Sequence, residues 1–180
     1  AGQTITLCHA DELNEDGTLY RDTLRGAAQT DTYIASGREN GAVYCPTFTY
    51  HGFRYCAVEG LDYLDRDAIT AELWCTDLRT ASHFSCGNAL VTKLHDMVVM
   101  TEMDNMHSIL TDCPQRDERM GWMNDATVRF EETPYNFDIS RMFPKLIRDL
   151  RAEQSKADDG AITCTAPFIW GGRPADPVCS

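Results

Sequence analysis

A change of hydrophobic period part-way along the chain constrains its fold more than any other feature. Before Gly60, short runs such as TITL (4–7) and FRYCAV (53–58) combine β-branched, aromatic and apolar residues, a composition typical of strands. From Asn88 onward the apolar residues recur with helical spacing instead. The pattern therefore predicts a mixed chain in which β structure comes first and α structure follows.

The β portion also contains a turn signal and a run of aromatic residues. Asp16-Gly17 predicts a tight turn ahead of another short strand. The stretch 45–60 carries aromatic residues on both faces of an alternating pattern, which predicts a pleat buried on two sides. So few strands cannot close a sandwich or barrel, which takes about seven or eight, and the β portion is predicted to be incomplete.

The first predicted helix runs from Asn88 to about Met103. Residues at i, i+1, i+4, i+7 and i+8 form an amphipathic stripe along it, namely Leu90, Val91, Leu94, Met97, Val98 and Thr101. Four methionines in and after this helix are expected to fill the core; they are Met97, Met100, Met103 and Met106.

Two further helices are predicted after a charged loop. One begins with Asn124 or Asp125 as N-cap and ends at Pro134. The next begins near Asp138, and Pro144 either kinks it or marks a later start. Three helices with apolar faces need partners, so the helical portion is also predicted to be incomplete.

These patterns predict two domains, each present in part. Residues 1–65 are expected to be part of a β domain, and residues 66–180 part of a helical domain. The junction between them is predicted near residues 60–70, where the hydrophobic period changes.

Charge and hydropathy exclude two classes of partner. A net charge of -12 disfavours nucleic acid, because such binders carry basic surfaces that release counterions from the phosphates. No apolar run is long enough for a membrane helix. The first residues lack the pattern of a signal peptide, which favours a cytoplasmic location. The sequence gives no indication of the oligomeric state.

The eight cysteines allow two interpretations. Two cysteine pairs have the same internal spacing of eleven residues, Cys45 with Cys56 and Cys75 with Cys86. A histidine lies within each pair, His51 in the first and His83 in the second. These six residues are one possible set of metal ligands. No C-x-x-C motif occurs, however, and scattered, mostly buried free thiols in a reducing compartment are the favoured interpretation. The sequence predicts no metal site and no cofactor.

A charged loop, TDCPQRDERMGWMND (111–125), is the segment with the most chemistry. Its acids are Asp112, Asp117, Glu118 and Asp125, its bases are Arg116 and Arg119, and Trp122 adds a flat apolar face. Carboxylates that converge on one site cannot all ionise easily, so at least one pKa is expected to rise, as a general acid requires. Acids beside a tryptophan without basic excess indicate a carbohydrate ligand.

A structural interpretation of the same loop stays open. Alternating charges between helices commonly form a solvated network of ion pairs, each contributing about 0–1 kcal/mol. In that case Trp122 only anchors the loop to the core.

Several separate segments resemble one known family. The stretches TDCPQRDERMGWMND and YNFDISRMFPKLIRDLRAEQ resemble the start of the catalytic domain of bacterial α-L-rhamnosidases of glycoside hydrolase family 78. HADELNEDGTLY, LRGAAQTDTYIASG and PTFTYHGFRYCAVEG resemble the end of the β-sandwich domain that precedes it, and GAITCTAPFIWGGRPADP resembles the stretch after the third helix. The resemblance covers nearly the whole chain.

The resemblance implies an inverting hydrolase of terminal α-L-rhamnose, whose catalytic domain is an (α/α)₆ barrel. The family's general acid falls on Glu118. Its sugar-binding residues fall on Asp112, Trp122 and Asp125, and Arg116 and Arg119 are expected to orient the carboxylates. An aromatic residue that many members carry after ADP is replaced here by Val178-Cys179-Ser180, and Trp170 is expected to occupy similar space.

The family's general base is a glutamate further along the barrel, and this chain ends before it. The 180 residues alone are therefore expected to be inactive. An alternative function is a non-catalytic carbohydrate-binding or scaffold segment.

Overall fold

The computed structural model describes residues 1–38 and 41–169, and within them a β-rich part precedes a helical part. The chain divides into two compact units. The first consists of Ala1–Leu73 with Pro114–Asp117, and the second consists of Trp74–Cys113 with the chain from Glu118 onward. The predicted order of β and α structure is confirmed, while the predicted domain boundary at residues 65 and 66 stays a prediction.

A three-stranded antiparallel sheet forms the centre of the first unit. Its strands are β1 (Thr4–Ala10), β4 (Thr30–Ile34) and β5 (Tyr55–Glu59), in the order β4-β1-β5. The runs TITL and FRYCAV thus contribute to strands, as their β-branched and aromatic composition predicts.

A two-stranded hairpin and two short 3₁₀ helices complete the regular structure of this unit. The hairpin pairs β2 (Glu12–Leu13) with β3 (Leu19–Tyr20) around the predicted Asp-Gly turn, where Gly17 has a φ of 83°. The 3₁₀ helices are Asp22–Leu24 and Arg66–Ala68.

Few residues of the first unit are fully buried. The described ones are His9, Ala10, Leu24 and Gln29, two of which are polar. The predicted pleat buried on two faces is wrong, because Phe48 is 93% exposed and only the second half of the stretch, β5, joins the sheet. The neighbouring residues of a β-branched run fix a strand, but they do not supply a second layer to cover it.

The second unit contains α1 (Ala89–Asp104), α2 (Met123–Arg129), α3 (Thr133–Asn136) and α4 (Met142–Gln154). Its apolar core joins α2, α4 and the turns around them through Met106, Leu110, Met123, Ala126, Phe137, Met142, Leu146 and Ala166.

The bounds of α1 agree with the sequence, and those of α2 do not. The Asn88 side chain accepts a hydrogen bond from the Leu90 backbone N–H at 3.0 Å, as a helix N-cap does. The N-cap of α2 is Trp122 rather than Asn124 or Asp125.

The predicted role of Pro134 is wrong and one alternative for Pro144 is confirmed. Pro134 lies in the first turn of α3, where proline is tolerated because the first N–H groups of a helix have no intrahelical partner. Pro144 lies in the first turn of α4, so it marks the later start.

Helix α1 carries its apolar stripe outward. Leu90 is 74% exposed, Met97 57% and Met100 50%, so the expected core role of these two methionines is wrong, whereas Met106 is buried and Met103 packs against the core. The side of α1 that packs inward carries the buried carboxylate Glu102. Thus α1 exposes the stripe that an amphipathic helix normally buries.

Seven cysteines within the described residues are free thiols. Cys113 is buried, but Cys45 and Cys86 are exposed, so the expectation of mostly buried thiols is wrong. Among the described residues, every helix is too short or too polar to cross a membrane.

Candidate active site

The charged loop leaves α1, passes through both units and enters α2. Its segment Pro114–Asp117 belongs to the first unit. There the Asp117 carboxylate accepts hydrogen bonds from the Arg25 guanidinium at 2.8 Å and from the Gly26 backbone N–H at 3.1 Å. Both side chains of this ion pair are about half exposed, so it matches the solvated contact of the structural interpretation.

The end of the loop is closed by backbone pairing within the second unit. The Ala166 N–H donates to the Gly121 carbonyl at 2.9 Å, and the Met123 N–H donates to the Cys164 carbonyl at 2.8 Å. A Cβ atom at Gly121 would lie 2.3 Å from the Ala166 carbonyl oxygen. Only glycine therefore permits this close approach of two backbone segments.

A reciprocal pair of hydrogen bonds folds the middle of the loop around Asp112. The Asp112 N–H donates to the Met120 carbonyl at 3.1 Å, and the Met120 N–H donates to Asp112 Oδ1 at 2.7 Å. Arg119 adopts a left-handed φ of 52°, which is rare for a residue with a Cβ and turns the chain between Glu118 and Met120. The turn holds the Asp112 carboxylate in a fixed place.

The turn brings the predicted acid beside the predicted sugar-binding residues. Trp122 donates its indole N–H to Glu118 Oε1 at 2.9 Å. One oxygen of Asp112, the thiol of Cys113 and one oxygen of Glu118 all lie within 4.8 Å of one another. Asp112, Glu118 and Trp122 are partly buried, and Cys113 is buried.

Asp125 is electrostatically coupled to the same group. Burial raises its pKa, and the nearby carboxylates Asp112 and Glu118 raise it further, while Arg129 and a backbone hydrogen bond act in the opposite direction. The raised carboxyl pKa that converging acids predict is thus found at Asp125.

The structure brings four of the seven predicted site residues together. Asp112, Glu118, Trp122 and Asp125 belong to one cluster, which we call the loop cluster. Arg119 forms the turn of the loop, Arg116 lies in the segment of the first unit, and Trp170 lies outside the described residues. The roles predicted for all of these residues, whether proton donation, sugar binding or orientation of the carboxylates, stay predictions.

Sequence reasoning missed two contributors to this cluster. No sequence pattern singled out Cys113, whose sulfur converges with the two carboxylates. Gly121 lies in the loop that the sequence singles out, but its close approach to Ala166, which requires a glycine, was not predicted. A glycine directly before the aromatic residue of a charged loop was the available signal for such an approach.

Comparison with protein families gives two matches that together span most of the chain. Residues 1–74 match the model of the bacterial alpha-L-rhamnosidase concanavalin-like domain. Residues 79–179 match the model of the bacterial alpha-L-rhamnosidase 6 hairpin glycosidase domain.

Individual relatives give the same result. The chain is 38% identical to an alpha-L-rhamnosidase of Streptomyces avermitilis over 94% of this chain and 16% of the relative. The solved structure of alpha-L-rhamnosidase from Dictyoglumus thermophilum superimposes with a TM-score of 0.94 at 39% identity, covering 99% of this chain and 20% of that one. The S. avermitilis enzyme complexed with L-rhamnose gives a TM-score of 0.89 at 38% identity, over 94% of this chain and 16% of that one. The chain thus spans a fifth or less of the length of these relatives.

Proposed function

The chain belongs to the bacterial alpha-L-rhamnosidase family, and on that premise we propose that it contributes the acid half of an inverting glycosidase that removes terminal α-L-rhamnose from glycosides. The observation that carries this proposal is the convergence of Asp112 and Glu118 within 4.8 Å, with Glu118 held by the indole of Trp122 at 2.9 Å. A similar enzyme was solved with L-rhamnose, which supports rhamnose as the sugar.

In the proposed reaction Glu118 donates its proton to the glycosidic oxygen as the bond to the sugar breaks. A water molecule attacks the anomeric carbon from the opposite face and loses a proton to a base carboxylate. Asp112, Trp122 and Asp125 hold the sugar, the first and last by accepting hydrogen bonds from its hydroxyls and the tryptophan by stacking on its apolar face. The product is the β anomer of L-rhamnose.

The base is proposed to come from outside the loop cluster. In inverting enzymes the acid and base lie about 6.5–9.5 Å apart to leave room for the water. Asp112 lies too close to Glu118 for that role, since their nearest ligand oxygens are within 4.8 Å. We therefore propose that the 180 residues alone supply acid and sugar grip without turnover, and that the helices α1 to α4 are part of an (α/α)₆ barrel completed by a longer chain.

The test is Glu118→Gln in the full-length protein that contains this chain. With a rhamnoside of a sugar or flavonoid, kcat/KM should fall on the order of 10² to 10⁴, because proton donation to a poor leaving group is lost. With a nitrophenyl rhamnoside the loss should be much smaller, since that leaving group needs little protonation. Kinetics on both substrates and NMR detection of the first anomer formed measure these effects.

Glu131→Gln is the matched control, because Glu131 is an exposed glutamate of the same unit. It should leave both substrates unaffected. Equal losses for the two substrates in Glu118→Gln would remove Glu118 from the acid role. Rhamnose binding by calorimetry without any product would instead favour the non-catalytic carbohydrate-binding function.

A further inference from the structure

A second cluster of titratable side chains lies on the sheet of the first unit, apart from the charged loop. It consists of His9 on β1, Asp31 on β4 and His51 in the segment before β5. All three side chains are largely buried: His9 is 5% exposed, and the side chains of Asp31 and His51 are 11% and 12% exposed. Three polar side chains in a place with few buried apolar residues call for a physical explanation.

Sheet register brings two of the three together. Asp31 pairs with Leu7 across the β1–β4 ladder, and His9 lies two residues further along β1 than Leu7. Residues two apart on a strand share a face, so His9 and Asp31 are diagonal neighbours on one face of the sheet. The imidazole of His51 stacks on that of His9, with ring centroids 4.4 Å apart and an interplanar angle of 21°.

The hydrogen bond of His9 fixes its tautomer. His9 Nδ1 lies 3.2 Å from the Gln29 carbonyl oxygen, which can only accept. Nδ1 therefore carries the hydrogen, and Nε2 has the lone pair. A histidine whose other ring nitrogen donates to a backbone carbonyl is the usual arrangement of a metal ligand.

His51 and Asp31 have the separation of two ligands on one ion. His51 Nε2 lies 3.0 Å from Asp31 Oδ2. Two ligand atoms at about 2.0–2.2 Å from a zinc ion, with a tetrahedral or smaller angle between them, lie roughly 2.9–3.5 Å apart. The Nε2 lone pair of His51 and the Asp31 carboxylate are therefore close enough to share one ion.

From these contacts we propose that His9, Asp31 and His51 bind a divalent transition-metal ion, with Zn²⁺ the best match to two imidazoles and one carboxylate. One nitrogen from each ring and one Asp31 oxygen already lie within 4.8 Å of one another. Ligand atoms around a tetrahedral zinc ion lie roughly 3.2–3.6 Å apart, so the stacked imidazoles of His9 and His51 must rotate to direct both lone pairs at the ion. A water molecule supplies the fourth position.

The electrostatics of the site suit a cation. His9, His51 and Asp31 offer two imidazole nitrogens and one carboxylate oxygen, a donor set that zinc favours. Asp31 supplies one negative charge, and the chain carries -12 in total. An ion there would join β1, β4 and the segment before β5, and so stabilise a unit with few buried apolar residues.

The competing explanation is a His51–Asp31 ion pair with His9 packed against it. That arrangement accounts for the 3.0 Å contact without an ion, and His51 Nδ1 lacks a hydrogen-bond partner among the described residues in either case. The two explanations differ in whether the chain binds zinc at stoichiometric concentration.

The experiment is a titration of the chelator-treated full-length protein with ZnCl₂ in competition with a chromogenic chelator. The unaltered protein should bind one zinc ion at this site and show a raised Tm. Asp31→Asn and His51→Gln, which preserve side-chain size, should each weaken that binding at least about tenfold and abolish the zinc-dependent rise in Tm. Cobalt(II) should give visible d–d absorption in the unaltered protein that both variants lose.

Two control variants locate the effect. His83→Gln changes an exposed histidine, and Glu118→Gln changes the other group of converging ligand atoms; both should keep the zinc affinity of the unaltered protein. Circular dichroism confirms folding, and if His51→Gln fails to fold, Asp31→Asn decides the test. Absence of stoichiometric zinc, unchanged affinity in Asp31→Asn, or an equal loss in either control overturns the proposal.

Discussion

Two pairs of carboxyl groups in the second unit show how differently the same functional group is used. Asp112 and Glu118 lie in an irregular loop, where backbone N–H groups and an indole N–H set their positions. Glu102 on α1 and Glu132 before α3 lie among packed helices. The first pair belongs to the proposed active site, and the second holds helices together.

Side chains of α3 donate hydrogen bonds to the carboxylates of Glu102 and Glu132, which we call the helix carboxylates. Thr133 donates to Glu102 Oε1 at 2.5 Å, and Asn136 donates to Glu102 Oε2 at 3.3 Å and to Glu132 Oε2 at 3.2 Å. Burial raises the pKa of Glu132 to about 7, and the neighbouring Glu102 contributes through its charge and a hydrogen bond. Arg129 and His95 oppose this rise.

A shifted carboxyl pKa is therefore not sufficient to identify a catalytic residue in this chain. Strongly shifted groups are often functional, but networks that only pack helices also shift them. Here a carboxyl group with a pKa near neutrality lies outside the loop cluster. The loop cluster is distinguished instead by a fixed backbone, an aromatic face and several converging acids.

The largest effect is expected from Gly121→Ala, which should displace the loop that carries Asp112 and Glu118 and leave Glu102 and Glu132 in place. The added Cβ would lie 2.3 Å from the Ala166 carbonyl oxygen, so the backbone must separate. In the full-length protein that contains this chain, we expect a loss of about 3 kcal/mol in unfolding free energy and about 100-fold or more in kcat/KM, measured by denaturant unfolding and steady-state kinetics.

The matched control is Gly87→Ala, since a Cβ there meets nothing within 4 Å. It should leave activity and stability nearly unchanged. Full activity in Gly121→Ala would show that the loop cluster does not depend on this close approach.

An intermediate effect is expected from Glu132→Gln, which should change the stability contributed by Glu102 and Glu132 and leave Asp112 and Glu118 unaffected. Because the folded-state pKa is raised from 4.5 to about 7, the folded protein binds more protons than the unfolded chain between these values. Stability of the unaltered protein should therefore fall as pH rises from about 4.5 to 7 and then level off. The variant should lack this fall and be more stable at pH 8 by about 1 kcal/mol, a value reduced for solvent screening of a partly exposed group.

Urea unfolding at pH 5 and pH 8 measures this difference, with Glu131→Gln as the exposed neighbouring control. In the full-length protein, the kcat/KM of Glu132→Gln at a common temperature should stay close to the value without the substitution. A large loss of activity without loss of stability would mean that Glu132 contributes to catalysis and does not only hold helices together.

The smallest effect is expected from Trp122→Phe, which keeps an aromatic face but removes the donor to Glu118 Oε1 at 2.9 Å. A hydrogen bond to a carboxyl group contributes about 1–1.5 kcal/mol net, so the kcat of the full-length protein should fall roughly five- to tenfold with KM little changed. Trp74→Phe, at an exposed tryptophan of the same unit, is the control and should have no effect. A rise in KM with unchanged kcat would mean that the indole only grips the sugar.

The order of elements could be predicted from local sequence, while their packing could not. Asn88 marks the start of α1 because N-capping depends on neighbouring residues alone. Pro134 misled because the same residue stops one helix or begins another, and the choice depends on the distant contacts of α3. The stripe of α1 indicates which side is apolar but does not say which side the chain covers.

The candidate site shows the same division. Resemblance to the family indicated Asp112, Glu118, Trp122 and Asp125, and the structure groups them. Their grouping depends on the left-handed Arg119 and the close approach at Gly121, which no spacing rule encodes. The sequence named His51 only as a possible ligand beside cysteines, and it gave no signal for His9 or Asp31, because strand register brings those two together.

The outward apolar stripe of α1 has a consequence for how the chain behaves in solution. An exposed apolar surface that favours self-association is formed by Leu90, Leu94 and Met97. The net charge of -12 acts in the opposite direction, because it makes the molecules repel one another. Added salt shortens the range of that repulsion and leaves the apolar surface unaffected. The colloidal state of the 180 residues is therefore governed by ionic strength, with low salt keeping the molecules dispersed.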